Sequence, residues 1–174
     1  MIDDEGLVAA ARRGDRSAFG ALYERHFPSV YRFAYFHTRS AADAEDACAE
    51  AFLRAIEHVD QFHGSAAQFG GWLFRITRNA IIDRGRRARP TVALDDATDP
   101  SVADRAGEVV QRVALRAALA TLKEEQRSAV VLRFVLGLSS REAGTAMGKS
   151  EGAVEQLQRR GLAALAKVLR SPDA

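Results

Sequence analysis

A chain of 174 residues, 47% hydrophobic and 28% charged, has room for one ordinary domain or two small ones and excludes wholesale disorder. Its 25 lysines and arginines against 23 acids leave a net charge of +2, too small by itself to call for a polyanionic partner. The single cysteine, Cys48, excludes a disulfide framework and any multi-cysteine metal site. No apolar run reaches the ~20 residues needed to cross a bilayer, and residues 1–5 carry neither a basic nor an apolar leader pattern, so a cytoplasmic chain without membrane insertion is expected.

In chain order, Leu7, Val8 and Ala11 give a short helix an apolar face, with Asp3 as its N-cap. Gly14 and Asp15 end it, and Asp15 can cap the next helix. There Phe19, Leu22, Tyr23, Phe27, Val30, Tyr31 and Ala34 recur at helical steps, and Pro28 predicts a kink or a split. A third helix follows Ser40, with Ala44, Ala47, Cys48, Ala51, Phe52, Ala55 and Ile56 inward and Asp43, Asp46, Glu50 and Glu57 outward. After a loop around Gly64 and a cap at Ser65, a fourth helix turns Phe69, Trp72, Leu73, Ile76 and Ala80 inward.

Charge is distributed unevenly along the chain. Residues 70–90 hold six arginines and one acid; residues 91–108 hold five acids and one arginine. Helical periodicity vanishes between them, and Pro90, Asp95, Asp96, Asp99 and Pro100 give the stretch linker composition. It resumes at Val109, Val113, Leu115, Ala118, Leu119 and Leu122. A further helix over residues 124–136 is expected to bury Val130, Val131, Phe134 and Val135 and to stop at Gly137. No useful strand alternation is present. The fold class is therefore all-α, with two small helical domains, 1–88 and 108–174, joined by an acidic linker, 89–107.

Three segments carry functional information. In residues 138–154, Ser139 and Glu142 have capping-box spacing, Gly148 permits a tight turn, and Ser150 caps a longer helix that buries Val154, Leu157, Leu165, Val168 and Leu169. Short helix, glycine turn and long helix form a helix-turn-helix pattern, or else an ordinary helical hairpin. The fourth helix carries Arg75, Arg78 and Asn79, extended by Arg84, Arg86 and Arg87. Arginines hold phosphates, Asn can pair with a base edge, and Trp72 can stack on an unpaired base or lie wholly in the core. The carboxylates of the third helix are either a solvated face or a docking face for a basic partner. His58 and His63 lie near them without a metal-ligand spacing, and His26 and His37 are isolated.

Taken in order, these segments resemble the bacterial sigma factors of the extracytoplasmic-function type. The likeness is carried by Asp43-Ala44-Glu45-Asp46-Ala47, by Ala51-Phe52-Leu53-Arg54-Ala55, by residues 71–83 with Trp72, Leu73, Arg78, Asn79 and Asp83, and by the helix-turn-helix. It implies a dissociable subunit of RNA polymerase that recognises promoters, with no catalytic residue, no metal and no cofactor. Region two, here 1–88, would bind the polymerase clamp through Asp43, Asp46 and Glu50. It would also recognise and melt the minus-ten element through Phe62, His63, Gly64, Trp72, Arg75, Arg78, Asn79, Arg84 and Arg86. Region four would read the minus-thirty-five duplex through Lys149, Ser150, Glu155, Gln156, Arg159 and Arg160. Glu155 stands where such helices commonly carry a basic residue; a carboxylate there can accept from a cytosine amino group. The implied partners are core RNA polymerase, promoter DNA and an anti-sigma factor. A stand-alone helix-turn-helix regulator, a helical protein-interaction module and a metal-dependent helical enzyme are the alternatives.

Overall fold

The structure, a computed structural model, describes residues 4–87 and 106–170, and within them it is helical with no strand. The first group of helices is α1 (Asp4–Arg12), α2 (Arg16–His37), α3 (Ala41–His58) and α4 (Ala66–Arg87), with a 3-10 turn at Val59–Gln61. The second is α5 (Ala106–Ala120), α6 (Glu124–Val130), α7 (Ser140–Met147) and α8 (Glu151–Arg170), with a π-helical turn at Val131–Val135 running on from α6. The expected cap at Asp3 and the linker at 89–107, up to Arg105, lie outside the described residues.

Local chemistry sets the helix starts. The Asp15 carboxylate accepts from the amides of Ser17 (2.9 Å) and Ala18 (3.1 Å), two donors that no helical carbonyl can reach, and it is held below the ordinary aspartate value by the Ser17 hydroxyl and those amides. Ser40 caps α3 by accepting from the Asp43 amide at 3.0 Å. Around α2, α3 and α4 the first core closes on Leu22, Tyr31, Phe33, Phe69 and Leu73, each about 1% exposed. In the second group Leu119, Val131, Leu132 and Val154 are buried, and they join the same apolar cluster.

Several expected positions differ. Helix α2 runs unbroken through Pro28, which neither splits nor ends it. Pro28 and Glu24 are both exposed, so the Glu24 carbonyl that loses its helical donor lies on the exposed side of the helix, where solvent can bond it. Ile56 is 41% exposed rather than inward, because it lies at the edge of the buried stripe that Ala51, Ala55 and Val59 form on α3 and the turn after it. Tyr23, Val113 and Leu115 are also exposed, and Leu169 lies on the last, uncovered turn of α8. Phe134 is 55% exposed and Leu132 is buried in its place. A π turn carries more residues per revolution than an α-helix, so the stripe drawn at 3.6 residues per turn loses register after Val131.

Helix α2 also buries more than one stripe. Phe33, Tyr35 and Phe36 are all buried near its C-terminus, because α2 packs on α3 and α4 and also on α5 and α6 of the second group. The two groups therefore touch, through α2 and most extensively through α4 against α7.

Candidate nucleic-acid and partner interface

Helix α4 presents a different chemistry to each side, and the helical repeat explains how. Residues seven apart point almost the same way. Leu73 and Ala80 face the first core and are buried. Trp72 and Asn79 share a second face, and Gly71 and Arg78 share a third, with exposed Arg75 between those two.

The loop before α4 is built around Phe62. Its ring is buried and meets Phe69 edge-on at 5.4 Å and Trp72 at 5.1 Å. Gly64 lies directly over that ring: a Cβ there would stand 2.6 Å from Phe62 Cζ. The loop is tied at both ends. Gln68 Oε1 accepts from the Ser65 amide at 3.0 Å, Glu5 Oε2 accepts from the Ala66 amide at 3.0 Å, and Arg12 Nη2 donates to His63 Nδ1 at 3.4 Å.

Two adjoining clefts open along this loop and the Trp72 face. One, of about 370 Å³, is lined by Arg54, His58, Gln61, Trp72, Arg75, Ile76 and Asn79. The other, of about 270 Å³, is lined by Gln61, Phe62, His63, Gly64, Gln68, Trp72, Arg75 and Thr145. Trp72 is half-buried, neither wholly in the core nor free, and together with Gln61 and Arg75 it borders both. The structure thus brings Phe62, His63, Gly64, Trp72, Arg75 and Asn79 together. An aromatic wall, a guanidinium and side-chain amides in one open cleft can stack on a flat ring, hydrogen-bond its edge and neutralise an adjoining phosphate. Arg54, His58, Gln61, Gln68 and Thr145 line the clefts but were not expected from the sequence; His58, Gln61 and Gln68 lie in or near the predicted loop, Arg54 lies within α3, and nothing local marks Thr145.

The other arginines on α4 are engaged or lie elsewhere. Arg84 reaches Asp46 at 2.6 Å and Glu50 at 3.8 Å; Arg54 pairs with Glu50 and, at 3.2 Å, with Asp83. The acidic side of α3 is thereby linked to α4, leaving Asp46 63% exposed. Asp43 is held at the helix start, where its Oδ2 accepts from the Ser40 hydroxyl at 2.8 Å. Arg86 is exposed and lines neither cleft. Arg78 turns to the second group of helices: its Nε and Nη2 donate to the two carboxylate oxygens of Glu124, at 2.6 and 2.8 Å. That fork raises the Arg78 value above the ordinary guanidinium. Burial pushes the Glu124 carboxyl up, but the Arg78 hydrogen bonds and charge, with the Ser128 hydroxyl, outweigh it and hold it low.

In the second group, Ser139 and Glu142 form the expected capping box: the Ser139 amide donates to Glu142 Oε2 at 2.7 Å and the Glu142 amide to Ser139 Oγ at 3.2 Å. Gly148 takes φ +64°, which a side chain would strain, and the Lys149 amide returns to the Gly144 carbonyl at 2.9 Å. Ser150 caps α8, accepting from the Ala153 amide at 3.3 Å. Ser150, Glu155, Gln156, Arg159 and Arg160 are exposed. Lys149 is instead half-buried and paired with Glu125 at 2.9 Å. Among the described residues no cluster of three or more His, Cys, Asp or Glu side chains could hold a metal ion, and no helix is long and apolar enough to cross a membrane.

Comparison with known proteins identifies relatives of the chain. Residues 22–91 match the family model of sigma-70 region 2, and residues 112–165 match that of sigma-70 region 4. The chain is 37% identical to the ECF RNA polymerase sigma factor BldN of Streptomyces coelicolor over 96% of its own length and 65% of BldN, so it spans about two-thirds of that relative. It is 39% identical to the ECF RNA polymerase sigma factor SigM of Mycobacterium tuberculosis over 95% of this chain and 84% of SigM. Among solved structures it resembles CnrH in complex with the cytosolic domain of CnrY, at TM-score 0.76 and 27% identity, covering 96% and 97% of the two chains. The sigma factor RpoE of Bartonella quintana, solved with the anti-sigma factor NepR, shares the fold at TM-score 0.68 and 23% identity over 88% and 98% of the chains. With both sigma-70 regions matched in order and SigM covered over most of its length, the chain belongs to the extracytoplasmic-function family of RNA polymerase sigma factors.

Proposed function

We propose that this sigma factor docks on core RNA polymerase through the carboxylate side of α3, chiefly the exposed Asp46 and the half-buried Glu50, and captures a base of the melted minus-ten strand in the clefts on α4. The observation that carries the reading is the convergence of Trp72, Arg75 and Asn79 with the loop at residues 61–64. Opening a duplex needs no bond to be made or broken; it needs a pocket that holds an unstacked base more favourably than the helix does. Arg75 supplies phosphate attraction beside the indole, and Asn79 an amide for the base edge. Glu155, Gln156, Arg159 and Arg160 on α8 face outward for a duplex major groove, with a cytosine amino group as the partner of Glu155.

The division into residues 1–88, 89–107 and 108–174 is supported by the two family matches, which leave residues 92–111 between them. An anti-sigma factor is a further partner, as it is for the Bartonella protein of like fold.

The test is transcription with core enzyme on a promoter template that the wild-type holoenzyme transcribes. Asp46→Arg with Glu50→Arg should abolish co-elution with core polymerase. Arg75→Glu or Asn79→Ala should leave co-elution intact and abolish permanganate reactivity of the minus-ten thymines. The same defect from both sets refutes the assignment of separate faces.

A further inference from the structure

The two adjoining clefts share Gln61, Trp72 and Arg75, so whatever distinguishes them lies in the side chains they do not share. Each has a histidine on its wall, and the two rings are held in opposite ways. His58 Nδ1 lies 2.8 Å from the Arg54 carbonyl, one turn earlier on α3. A carbonyl only accepts, so that nitrogen carries the hydrogen, and in the neutral ring Nε2 keeps a lone pair. His63 Nδ1 instead faces Arg12 Nη2 of α1 at 3.4 Å. A guanidinium only donates, so here Nδ1 supplies the lone pair and Nε2 carries the hydrogen. Neither Nε2 is bonded by another described residue, which leaves both for a ligand.

The neighbouring side chains repeat the contrast. On the smaller cleft, Gln68 Oε1 accepts from the Ser65 amide at 3.0 Å and from the Ser65 hydroxyl at 3.4 Å, so its amide nitrogen is the end left for a ligand. Thr145, the wall residue from α7, gives its hydrogen to the Arg141 carbonyl, and a hydroxyl distinguishes bases poorly because it pairs with donors and acceptors alike. On the larger cleft, the Arg54 guanidinium is engaged by Glu50 and Asp83, whereas the exposed Asn79 adds an amide oxygen to the His58 lone pair. The smaller cleft therefore presents hydrogens, and the larger one presents lone pairs as well. We infer that the two clefts select opposite base edges: the smaller takes a base whose edge carries a keto oxygen, thymine or guanine, and the larger one whose edge carries an amino group, adenine or cytosine. Arg12 is the positioning residue; it lines neither cleft and acts through the tautomer of His63. This inference rests on the reading of the clefts as the place where melted bases are held.

Two measurements test it. Long-range proton–nitrogen correlation spectra of the full chain, with isotope-labelled histidine, report which ring nitrogen carries hydrogen. They should show His63 protonated at Nε2 and His58 at Nδ1. Arg12→Glu should move the His63 hydrogen to Nδ1, because a carboxylate only accepts. The second measurement is the affinity of the holoenzyme for a pre-opened promoter bubble, with each base of the opened minus-ten strand replaced in turn by the other three. One position should favour thymine and guanine and a neighbouring one adenine and cytosine, each roughly tenfold, the discrimination that one base-edge contact carries. Arg12→Glu should turn the keto preference into an amino preference. Arg12→Lys, whose ammonium also only donates, should keep it, and His58→Phe should erase the amino preference at the neighbouring position. A His63 hydrogen on Nδ1 in the wild type, or base preferences that Arg12→Glu leaves unmoved, refutes the inference. Trp72→Ala separates that failure from failure of the site: bubble binding weakened for every base keeps the clefts as the place of capture, and unchanged binding refutes that reading as well.

Discussion

Protonation of His37 should loosen the chain as pH falls. Its Nδ1 is 2.8 Å from the Phe33 carbonyl, which can only accept, so that nitrogen carries hydrogen; its Nε2 faces Ser128 across the domain contact. Burial lowers its pKa from 6.5 to about 4, opposed by the Phe33 carbonyl and by Glu124, and aided by Arg127 and Arg78, the charged groups that face it from α6 and α4. The native form therefore binds the proton less readily than the unfolded form, and stability is full above pH 6.5 and lost progressively down to pH 4. With those two values the loss at pH 5 is about 2 kcal/mol. The assay is urea unfolding at pH 7.5 and pH 5 for the wild type and His37→Gln, followed by circular dichroism. The wild type should lose about 2 kcal/mol more than the variant. His26, also lowered by burial and by Arg25, titrates in both proteins and cancels in the difference. An opposing force is visible in the same contacts. Ser128 Oγ, with its single hydrogen, lies 3.0 Å from Glu124 Oε1, and a doubly protonated His37 would let that hydroxyl donate to Glu124 while accepting from Nε2. If the wild type loses no more than His37→Gln, that hydrogen-bonded chain outweighs burial and the reasoning fails.

Two further predictions concern packing. Gly144→Ala would place a Cβ 2.7 Å from the Lys149 carbonyl oxygen, a backbone atom held in the turn between α7 and α8; a loss of about 1–3 kcal/mol is expected, read as a lowered thermal midpoint, and an unchanged midpoint would show that the turn yields freely. Cys48 is buried on α3, and burial with the Glu45 charge pushes its thiol up to about 12, so the native chain should resist iodoacetamide at pH 8 and react only on unfolding; prompt alkylation of the native form would contradict that burial.

Much of the site was readable from residue order because its parts are local. Trp72, Arg75 and Asn79 lie within eight residues of one helix, and the helical repeat alone puts them on neighbouring faces. The loop at 62–64 adjoins that helix in sequence, and Ser139, Glu142 and Gly148 form a cap and a turn whose chemistry is complete within ten residues. Phe134 was misplaced because nothing in the residues marks a π turn, which shifts every later side chain around the axis. Arg78 and Arg84 read as free cations because their partners, 46 and 38 residues away, have no signature of pairing. Glu124 reads simply as an acid in the first turn of a helix, a place where the helix dipole already favours one.

Alternation of apolar and polar residues at helical spacing, with caps and glycine turns, determined that this protein is two sets of helices and which helix carries the cations. Short-range hydrogen bonds and the 3.6-residue repeat act within a few positions, so their outcome is written locally. Which of those cations stay available was decided only when α6 and α7 came against α4, since charge pairing and burial depend on distance in space and residue order does not encode distance between separate domains.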